Sequence, residues 1–486
     1  MNKKKNVLNL YLEKIFENNI ALKDNDIKLS QEVFKSVFDQ VKQRMEKKCN
    51  YFAKYSSQVM FAGSVYDGIK VSKLDEFDMD IVIRLPISYD HGENGIILEN
   101  EDPGFVKMKI TNPFDNLVRQ PDWENCHKVT HDWRDDEKYF LQNKFRHWIQ
   151  GIVSKALYDM ENKVCVNGVS YVLKYTQSGP AYTLKIRAEE AKDPFTLDVD
   201  LVPVIRFRHP RWPKGYREPL NCEIKDWLLV PKPNKAVKEA SLQNRCWRLS
   251  FQEFEKDMMK GCQNLKKTIR LVKKLRDVLR MKYIASYYIK TLFLWKISET
   301  SKKYWETTLS VLFQTMVEIL RDAIQQKTIQ YFWNKDHNLI KELKDSLRDE
   351  YVSKLNQVLT GIENNDVDKV LPGLLTTEEL VQFKKYDFYQ KHNAATPANR
   401  SVKPAPVDRE LIETLIKKMD DLSTKVNYIG DEISKLKVGN ELKEEFLCLV
   451  GDLDEISDEV EDLGFDTYNP KRIKKMDGSK ASPKGN

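Results

Sequence analysis

The segment 61–85 constrains the fold more than any other, because it places a tight turn and a row of acidic residues directly before an apolar strand. Its sequence is FAGSVYDGIKVSKLDEFDMDIVIRL. Alternate side chains of a strand share one face, so Glu76, Asp78 and Asp80 are predicted to project together. Carboxylates crowded on one face repel each other unless a cation lies between them, and hard oxygen ligands suit Mg²⁺ or Mn²⁺. The pattern therefore predicts a metal site at the start of a strand.

A Gly-Ser pair precedes these acids. Gly63 allows the backbone to approach a phosphate group closely, and Ser64 adds a hydroxyl donor to the exposed amides of the turn. A phosphate-binding turn followed by a metal site is typical of a nucleotidyltransferase. The alternative is a plain turn followed by a strand whose acidic start is solvated.

A third carboxylate is needed for this chemistry, because two-metal phosphoryl transfer uses a further acid near the attacking hydroxyl. In the segment LDVDLVPVI, Asp198 and Asp200 share a strand face. A buried apolar strand has little use for two acids unless they meet a cation. The alternative is an edge strand with one solvated face, which Pro203 would suit. Together with the acids of segment 61–85, this strand favours an enzyme.

Length and composition indicate a globular protein of a reducing compartment. The chain of 486 residues is long enough for about two or three domains, and 41% of its residues are hydrophobic. Its net charge of +7 is the balance of 80 basic and 73 acidic residues, which permits nucleic-acid binding without requiring it. The seven cysteines include no CxxC motif, which favours free thiols. Without a membrane-length apolar run or a signal-peptide core, we expect a cytoplasmic protein with no membrane partner.

Two stretches carry enough positive charge to contact a nucleic-acid backbone. The predicted helix 27–55 has lysines off its apolar stripe, and the segment 206–238 interleaves basic with aromatic residues. The candidate contacts are Lys42, Lys47, Lys48, Arg208 and Arg211. Each stretch is also compatible with an ordinary solvated surface.

Periodicity and composition divide the chain into five predicted parts. These are an α/β lobe with N-terminal helices (1–244), a helical lobe (245–390), a linker rich in Pro, Ala and Asn (391–407), a heptad segment (408–465) and a basic, disordered tail (466–486). In the heptad segment, apolar residues alternate at spacings of three and four on two helices that break near Gly439. Such helices can fold back as a hairpin or pair between chains, so we expect self-association or partner binding.

Several motifs recur in the order and at the spacings of one known family. They are Gly63-Ser64, Glu76-Phe77-Asp78, Ser178-Gly179-Pro180-Ala181, Val199-Asp200, Trp247-Arg248-Leu249-Ser250-Phe251 and Ser286-Tyr287. On these motifs the chain resembles the Mab-21 nucleotidyltransferases, and among them cyclic GMP–AMP synthase and the animal cyclic GMP–AMP synthase-like receptors. The resemblance covers about residues 20–365.

The resemblance implies an α+β, bilobed nucleotidyltransferase fold, with a mixed central sheet and a long N-terminal helix followed by a helical lobe. It also implies roles for individual residues. Glu76, Asp78 and Asp200 match the catalytic, metal-binding triad. The residues that match nucleotide contacts are Gly63, Ser64, Arg248, Ser250, Glu255, Lys273, Ser286 and Tyr287.

Side-chain chemistry agrees with these implied roles. Arg248 offers a fork for a guanine edge, Tyr287 a ring for stacking on a base, and Lys273 a point charge for phosphate. Ser64 and Ser286 match hydroxyls that contact phosphate. The alternatives are a salt-bridged arginine, a core tyrosine and a solvated lysine.

The resemblance implies an enzyme that uses Mg²⁺ or Mn²⁺ to join ATP and GTP into a cyclic dinucleotide such as cyclic GMP–AMP, a second messenger of innate antiviral immunity. Vertebrate cyclic GMP–AMP synthase grips DNA with a His-Cys-Cys-Cys zinc loop, but the corresponding interval here, 256–262, is too short and holds one cysteine. We therefore expect no zinc, and an activating nucleic acid that is double-stranded RNA rather than DNA. Two alternatives stay open, namely a catalytically silent scaffold acting through its coiled coil and a linear-oligonucleotide synthase.

Overall fold

The computed structural model describes residues 3–71, 74–101, 104–178, 181–188, 195–219 and 226–394. The predicted heptad segment and basic tail lie outside the described residues, as do Gly179 and Pro180 of one family motif. A helix, Asp387–Ala394, covers the start of the predicted linker, and the rest of the linker lies outside the described residues.

Strands and helices are both present in each half of the described chain. The strands are β1 (Ser56–Ala62), β2 (Glu76–Ile83), β3 (Ile97–Asn100), β4 (Phe105–Lys109), β5 (Lys163–Val166), β6 (Val169–Ser178), β7 (Ala181–Ala188), β8 (Thr196–Arg208), β9 (Asp226–Val230), β10 (Cys246–Ser250), β11 (Gln330–Tyr331) and β12 (Asn334–Asn338). The helices are α1 (Lys3–Ile15), α2 (Asp24–Lys48), α3 (Asn50–Tyr55), α4 (Gly63–Tyr66), α5 (Asn112–Asp115), α6 (Lys128–His131), α7 (Gln142–Asp159), α8 (Ala240–Arg245), α9 (Gln252–Met258), α10 (Leu265–Val278), α11 (Ser286–Glu299), α12 (Leu309–Gln325), α13 (Asp345–Glu363), α14 (Val367–Val370), α15 (Thr377–Lys384) and α16 (Asp387–Ala394).

Ten of the described strands form one mixed sheet, as predicted. Its main path runs β3-β4-β10-β9-β8-β7-β6-β5, while β2 pairs with both β1 and β8. Neighbouring strands of this sheet are antiparallel apart from β2 and β8, which run parallel. The parallel pair brings the acidic start of β2 beside the acidic part of β8.

Strand β8 lies in the middle of the sheet, so the alternative of an edge strand is wrong. It pairs with β7 up to Asp200 and with β9 from Ile205 onwards. Strand β2 pairs with residues 198–204 of β8, so this pairing overlaps the one with β7, and Pro203 lies opposite Ile81. Proline lacks an N–H, and here it falls where β8 changes from one antiparallel neighbour to the other. A central strand therefore accommodates Pro203, although a proline is more typical of an edge strand.

The long N-terminal helix α2 packs on the sheet beneath the acidic segment. Its apolar stripe, which includes Phe34 and Val41, is buried, and the centre of the Phe34 ring lies 5.7 Å from that of Phe77 in β2. The helix ends at Lys48 because Cys49 adopts extended dihedral angles. The predicted helix 27–55 is therefore two helices, α2 and α3.

The helical lobe is confirmed, but residues 246–250, predicted to be helical, form strand β10. This strand pairs with β4 and β9, and the next helix starts at Gln252. Trp247 is buried in the sheet, whereas its neighbour Arg248 and the last residue, Ser250, are half-buried. This alternation belongs to a strand with one face toward the core and the other toward a cleft.

Two hydrophobic cores support the two lobes. One includes Phe77 and Trp247 of the sheet, and the other includes Leu271 and Phe313 of the helical lobe. Helix α1 joins the second core through Leu12, although sequence analysis grouped it with the α/β lobe. No helix in the described ranges combines the length and the apolar character needed to cross a bilayer.

Candidate active site

Three carboxylates converge where β2 and β8 run side by side. Asp78 lies opposite Asp200 in the parallel register, and Glu76 lies two residues before Asp78 on the same face. Oxygen atoms of the three residues lie within 4.8 Å of one another, and in the described part of the chain they are the one such group able to hold a metal ion. We call these three residues the acidic cluster. Strand alternation explains why Glu76 and Asp78 share a face, and the parallel pairing adds Asp200.

Burial and repulsion raise the pKa of the two aspartates of the acidic cluster. Burial, followed by the charges of Asp200 and Glu76, raises the pKa of Asp78 to about 6. Burial also raises the pKa of Asp200, although its carboxylate accepts a hydrogen bond from the Thr183 hydroxyl at 2.5 Å. Glu76 has an ion pair with Lys70 at 3.2 Å. Because this one ammonium group faces three carboxyl groups, the cluster keeps a surplus of negative charge. Oxygen donors with unbalanced charge fit a hard divalent cation such as Mg²⁺ or Mn²⁺.

The predicted turn at Gly63 and Ser64 is the four-residue helix α4, called the Gly63–Ser64 turn below, and it packs directly against this cluster. Gly63 has a φ of +67°, a conformation that favours glycine. A Cβ atom at this position would lie 1.8 Å from Oδ2 of Asp78, far inside van der Waals contact. Any larger residue would displace the Asp78 carboxylate. The glycine therefore allows the turn to bring Ser64 to the wall of the cavity that the cluster faces.

Two further acids on these strands are bound by protein groups. Asp198 shares a strand face with Asp200, but its carboxylate lies 2.5 Å from Nη2 of Arg187. Asp80 shares the face of the acidic cluster, as alternation predicts, but it is buried and accepts a hydrogen bond from the Gln252 amide at 2.7 Å. Burial is the main reason that the pKa of Asp80 rises to about 7. Neither acid belongs to the acidic cluster.

The acidic cluster opens into a cavity of about 490 Å³. The predicted site residues that line this cavity are Gly63, Ser64, Asp78, Asp200, Arg248, Ser250, Glu255, Lys273, Ser286 and Tyr287. They come from the turn after β1, from strands β2, β8 and β10, and from helices α9, α10 and α11. Both lobes therefore contribute to one concave site, whose size is typical of a small-molecule pocket.

An arginine and a tyrosine lie together in this cavity. The guanidinium carbon of Arg248 is 6.0 Å from the centre of the Tyr287 ring. The Tyr287 hydroxyl donates to Oε1 of Glu255 at 2.7 Å, and the Trp333 indole donates to the same oxygen at 2.8 Å. Burial opposes ionisation of Glu255, but the charge of Lys290 and these donors hold its pKa below the usual value. Here Glu255 holds the tyrosine in place, and its direct contact with a nucleotide stays a prediction.

Lys273 and Ser286 add polar groups from the helical lobe. The buried ammonium of Lys273 donates to the Ile69 carbonyl at 2.8 Å. Burial, followed by the charge of Arg276, lowers the pKa of Lys273 to about 8. Ser286 accepts a hydrogen bond from the Arg276 guanidinium at 2.8 Å. A nearby anion would favour the charged form of the lysine, so this part of the cavity suits a phosphate group.

Two lysines of the cavity were not predicted as site residues. Lys232 follows β9, and burial together with the charge of Arg248 lowers its pKa. It belongs to the basic segment 206–238, but periodicity does not show which way a loop lysine points. Lys290 lies in the apolar run of α11, where a single charge was a usable signal of a buried partner.

The three predicted nucleic-acid lysines lie off the apolar stripe of α2. Lys42 pairs with Glu46 at 3.1 Å, and Lys48 pairs with Asp159 at 2.6 Å. Lys47 is exposed, and no ion pair joins it to another residue in the described ranges. Among the three, Lys47 can therefore meet a polyanion without first giving up a partner.

The two predicted nucleic-acid arginines differ in exposure. Arg208 is exposed at the end of β8 and contacts Asp226 at 3.1 Å. Arg211 is half-buried and donates a hydrogen bond to the Ile96 carbonyl. Burial lowers the pKa of Arg211. Its contact with a nucleic acid stays a prediction that its burial disfavours.

Comparison with known proteins points to the same chemistry. The family described as Mab-21 protein nucleotidyltransferase domain matches residues 65–261, and the Mab-21 protein HhH/H2TH-like domain matches residues 264–357. A cyclic GMP-AMP synthase-like receptor of Ctenocephalides felis is 32% identical over 391 residues, which cover 77% of this chain and 89% of that relative. Receptors of the same name from Aethina tumida and Tribolium castaneum are 31% and 30% identical. These alignments cover 77% and 75% of this chain and 93% and 91% of the two relatives.

Proposed function

Because the chain belongs to the Mab-21 nucleotidyltransferase family, we propose that it joins ATP and GTP into a cyclic dinucleotide such as cyclic GMP–AMP. The observation that carries the proposal is the acidic cluster, which opens into a cavity that also contains cationic and aromatic side chains. The name of the relatives, cyclic GMP-AMP synthase-like receptor, supports this class of product. We further propose the role in innate immunity that the resemblance implies.

The acidic cluster of Glu76, Asp78 and Asp200 would hold Mg²⁺ or Mn²⁺. Its donors are all oxygen atoms, and burial together with their mutual repulsion raises the pKa of Asp78, as expected for a site that receives a cation from solution. When bound, the cation offsets the negative charge of the phosphates and lowers the pKa of the attacking hydroxyl.

The side chains of the cavity would position both nucleotides and move one proton. A ribose hydroxyl of one nucleotide attacks the α-phosphorus of the other, so a P–O bond forms and the bond to pyrophosphate breaks. Asp200 would take up the hydroxyl proton, while Ser64 and Lys273 would contact phosphate oxygens. Arg248 would read a base edge and Tyr287 would stack on a base. In a second attack, a ribose hydroxyl of the linear product attacks the α-phosphorus of its remaining triphosphate, which closes the ring and releases a second pyrophosphate. Positioning supplies much of the rate enhancement.

We further propose double-stranded RNA as the activator, without a zinc loop. The basic side chains of α2, with Lys47 exposed, support a polyanion. Helix α9 ends at Met258 and α10 begins at Leu265, so the connection where a zinc loop would lie is short and carries a single cysteine, Cys262.

The place of action and the assembly state are also proposals. None of the five cysteines in the described ranges forms a disulfide, which suits the reducing cytoplasm. The heptad segment 408–465 would mediate self-association or partner binding, because its apolar spacing is that of a coiled coil.

The test is a product assay with the purified full-length chain. Labelled ATP and GTP are incubated with Mg²⁺ or Mn²⁺ and with double-stranded RNA, double-stranded DNA or neither, and products are identified by mass spectrometry and nuclease digestion. We expect pyrophosphate and a cyclic dinucleotide that require the cation and increase with double-stranded RNA.

Other products would each revise one part of the proposal. A linear oligonucleotide would keep the transferase and reject ring closure. Activation by DNA alone would reject the proposed ligand. No transfer with any nucleotide, cation or nucleic acid would contradict the proposed function and favour a silent scaffold.

A further inference from the structure

A second group of charged side chains lines the same cavity. In this group, two carboxylates are paired with the ammonium of a lysine. The ammonium of Lys290 lies 2.5 Å from a carboxylate oxygen of Asp67 and 2.8 Å from one of Glu255. All three residues are buried, with exposed fractions of 5%, 5% and 3%. We call these three residues the Lys290 network. One lysine thus joins two acids that are distant in the sequence.

The members of the Lys290 network come from three separate elements. Asp67 follows the turn that starts at Gly63 and Ser64, and its N–H donates to the Gly63 carbonyl at 3.2 Å. Glu255 lies on α9 and Lys290 lies on α11. The ion pairs therefore connect the phosphate-binding turn predicted from the sequence to the helices on the other side of the cavity.

A second lysine of the helices holds the next part of this turn. Lys273 on α10 donates to the Ile69 carbonyl at 2.8 Å, and the Ile69 N–H donates to the Ser64 carbonyl at 2.9 Å. Two buried ammonium groups thus contact the segment 67–69. This segment is held from the helical side, while Gly63 packs against the acidic cluster at the other end of the turn.

The Lys290 network also reaches the aromatic wall of the cavity. Glu255 accepts the hydrogen bond of the Tyr287 hydroxyl through the oxygen that the Trp333 indole also contacts. Loss of Lys290 would leave Glu255 and Asp67 buried and repelling each other, because both face the position of the ammonium. The turn and the tyrosine would then lose a shared anchor.

We propose that Lys290 is a positioning residue, which sets the distance between the Gly63–Ser64 turn and the Tyr287 ring by binding Asp67 and Glu255 at once. Lys290 acts through these neighbours and does not contact the reacting atoms. The nucleotides that the turn and the ring would orient are those of the proposed function, on which this part of the proposal rests. The mechanical link between turn and helices is independent of the reaction.

Hydrogen–deuterium exchange of the turn tests the link in the full chain without nucleotide. Lys290→Met removes the ammonium and keeps a long side chain. The matched control is Lys274→Met, because Lys274 is also buried and pairs with Glu379 at 2.7 Å, yet neither residue lines the cavity. We expect peptides covering 63–69 to exchange roughly tenfold faster in Lys290→Met and at the wild-type rate in Lys274→Met.

A milder variant covers the case in which Lys290→Met does not fold. Asp67→Asn leaves the lysine paired with Glu255 but weakens its hold on the turn, so we expect a smaller acceleration confined to the same peptides. Unchanged exchange in Asp67→Asn, or equal acceleration in Lys290→Met and Lys274→Met, would overturn the proposal.

Steady-state kinetics separates positioning from stability. The double variant Lys290→Met with Asp67→Asn removes one of the two buried, unpaired carboxylates, so its melting temperature should recover part of the loss. The KM for nucleotides should stay raised by roughly tenfold, because the turn remains untethered. A KM that recovers together with the melting temperature would show an ordinary structural ion pair. If the wild-type chain makes no product, the proposed function fails. The difference in hydrogen–deuterium exchange between Lys290→Met and Lys274→Met still tests whether Lys290 links the turn to the helices.

Discussion

The acidic cluster and the Lys290 network lie in one cavity but balance their charges differently. In the acidic cluster, one lysine contacts Glu76, and burial and repulsion raise the pKa of Asp78 to about 6. In the Lys290 network, the ammonium contacts both acids, and the pKa of Lys290 is raised despite its burial. We therefore propose that the acidic cluster receives a cation from solution, whereas the Lys290 network already contains its own.

The largest expected effect comes from the acidic cluster and concerns activity. Asp200→Asn should reduce product formation by roughly a thousandfold or more, because it removes a proposed metal ligand that is also the proposed proton acceptor. Asp198→Asn is the matched control, since Asp198 lies on the same strand face but pairs with Arg187. Initial rates with labelled nucleotides measure both variants. A rate of Asp200→Asn within tenfold of the wild type, or an equal loss in Asp198→Asn, would break the assignment of the third acid.

The next effect concerns the free energy of unfolding, which should fall when the Lys290 network is changed and should stay level or rise when the acidic cluster is changed. Lys290→Met should lower the free energy of unfolding by about 3–5 kcal/mol, because two buried carboxylates lose their partner. Asp78→Asn in metal-free buffer should leave stability level or raise it, because it relieves repulsion in the acidic cluster. Urea denaturation followed by circular dichroism measures both. A loss of stability in Asp78→Asn comparable to that in Lys290→Met would erase the distinction between the sites.

A smaller effect concerns the pH dependence of the acidic cluster. The pKa of Asp78 is raised in the folded chain from 3.8 to about 6, so the folded state binds a proton that the unfolded state lacks between these values. Proton binding by Asp78 therefore adds to the free energy of unfolding at low pH, and this contribution is lost as pH rises through about 6. Asp78→Asn should therefore be more stable than the wild type by about 3 kcal/mol at pH 7.5, and this difference should largely disappear near pH 4. A difference that does not change with pH would mean that burial and the neighbouring acids do not raise the pKa of Asp78.

The smallest effect concerns cations at the surface, where the same contrast between paired and unpaired charge applies. Lys47→Glu should weaken binding of double-stranded RNA by up to about 1 kcal/mol and lower its salt dependence by about one counterion. Lys341→Glu serves as a control, because Lys341 is also exposed but lies in the helical lobe. Fluorescence anisotropy at several salt concentrations measures both. Equal RNA affinity of Lys47→Glu and the wild type would remove α2 from the proposed activator surface.

Strand alternation was enough to predict which acids share a face, but not which strands are neighbours. Glu76 and Asp78 were placed together from the sequence, whereas the parallel pairing of β2 with β8 depends on contacts between distant segments that no local pattern reveals. The short strand β10 was missed because its five residues, of which three are apolar, lie beside a long helical region and do not distinguish strand from helix. Pro203 led to the wrong alternative of an edge strand, because a proline is tolerated in a central strand where that strand changes its pairing partner, and the sequence does not show this place.

The cavity was predicted in outline from motifs, and the contacts inside it were not. Lys290 was detectable in principle, because a charged residue within the apolar run of α11 requires a buried partner. Lys232 was not, because the direction of a loop side chain follows from the tertiary structure. The roles of Ser64, Arg248 and Tyr287 rest on resemblance and remain predictions, although all three line the same cavity.

Binding of Mn²⁺ to the chain tests the central claim most directly, because it asks which acids take a cation from solution. Electron paramagnetic resonance titrations would compare the wild type, Asp78→Asn of the acidic cluster and Asp67→Asn of the Lys290 network. The account predicts that Asp78→Asn weakens Mn²⁺ binding at least about tenfold, since one of three ligands is lost, while Asp67→Asn leaves it unchanged. Equal Mn²⁺ affinity in all three proteins would contradict the account.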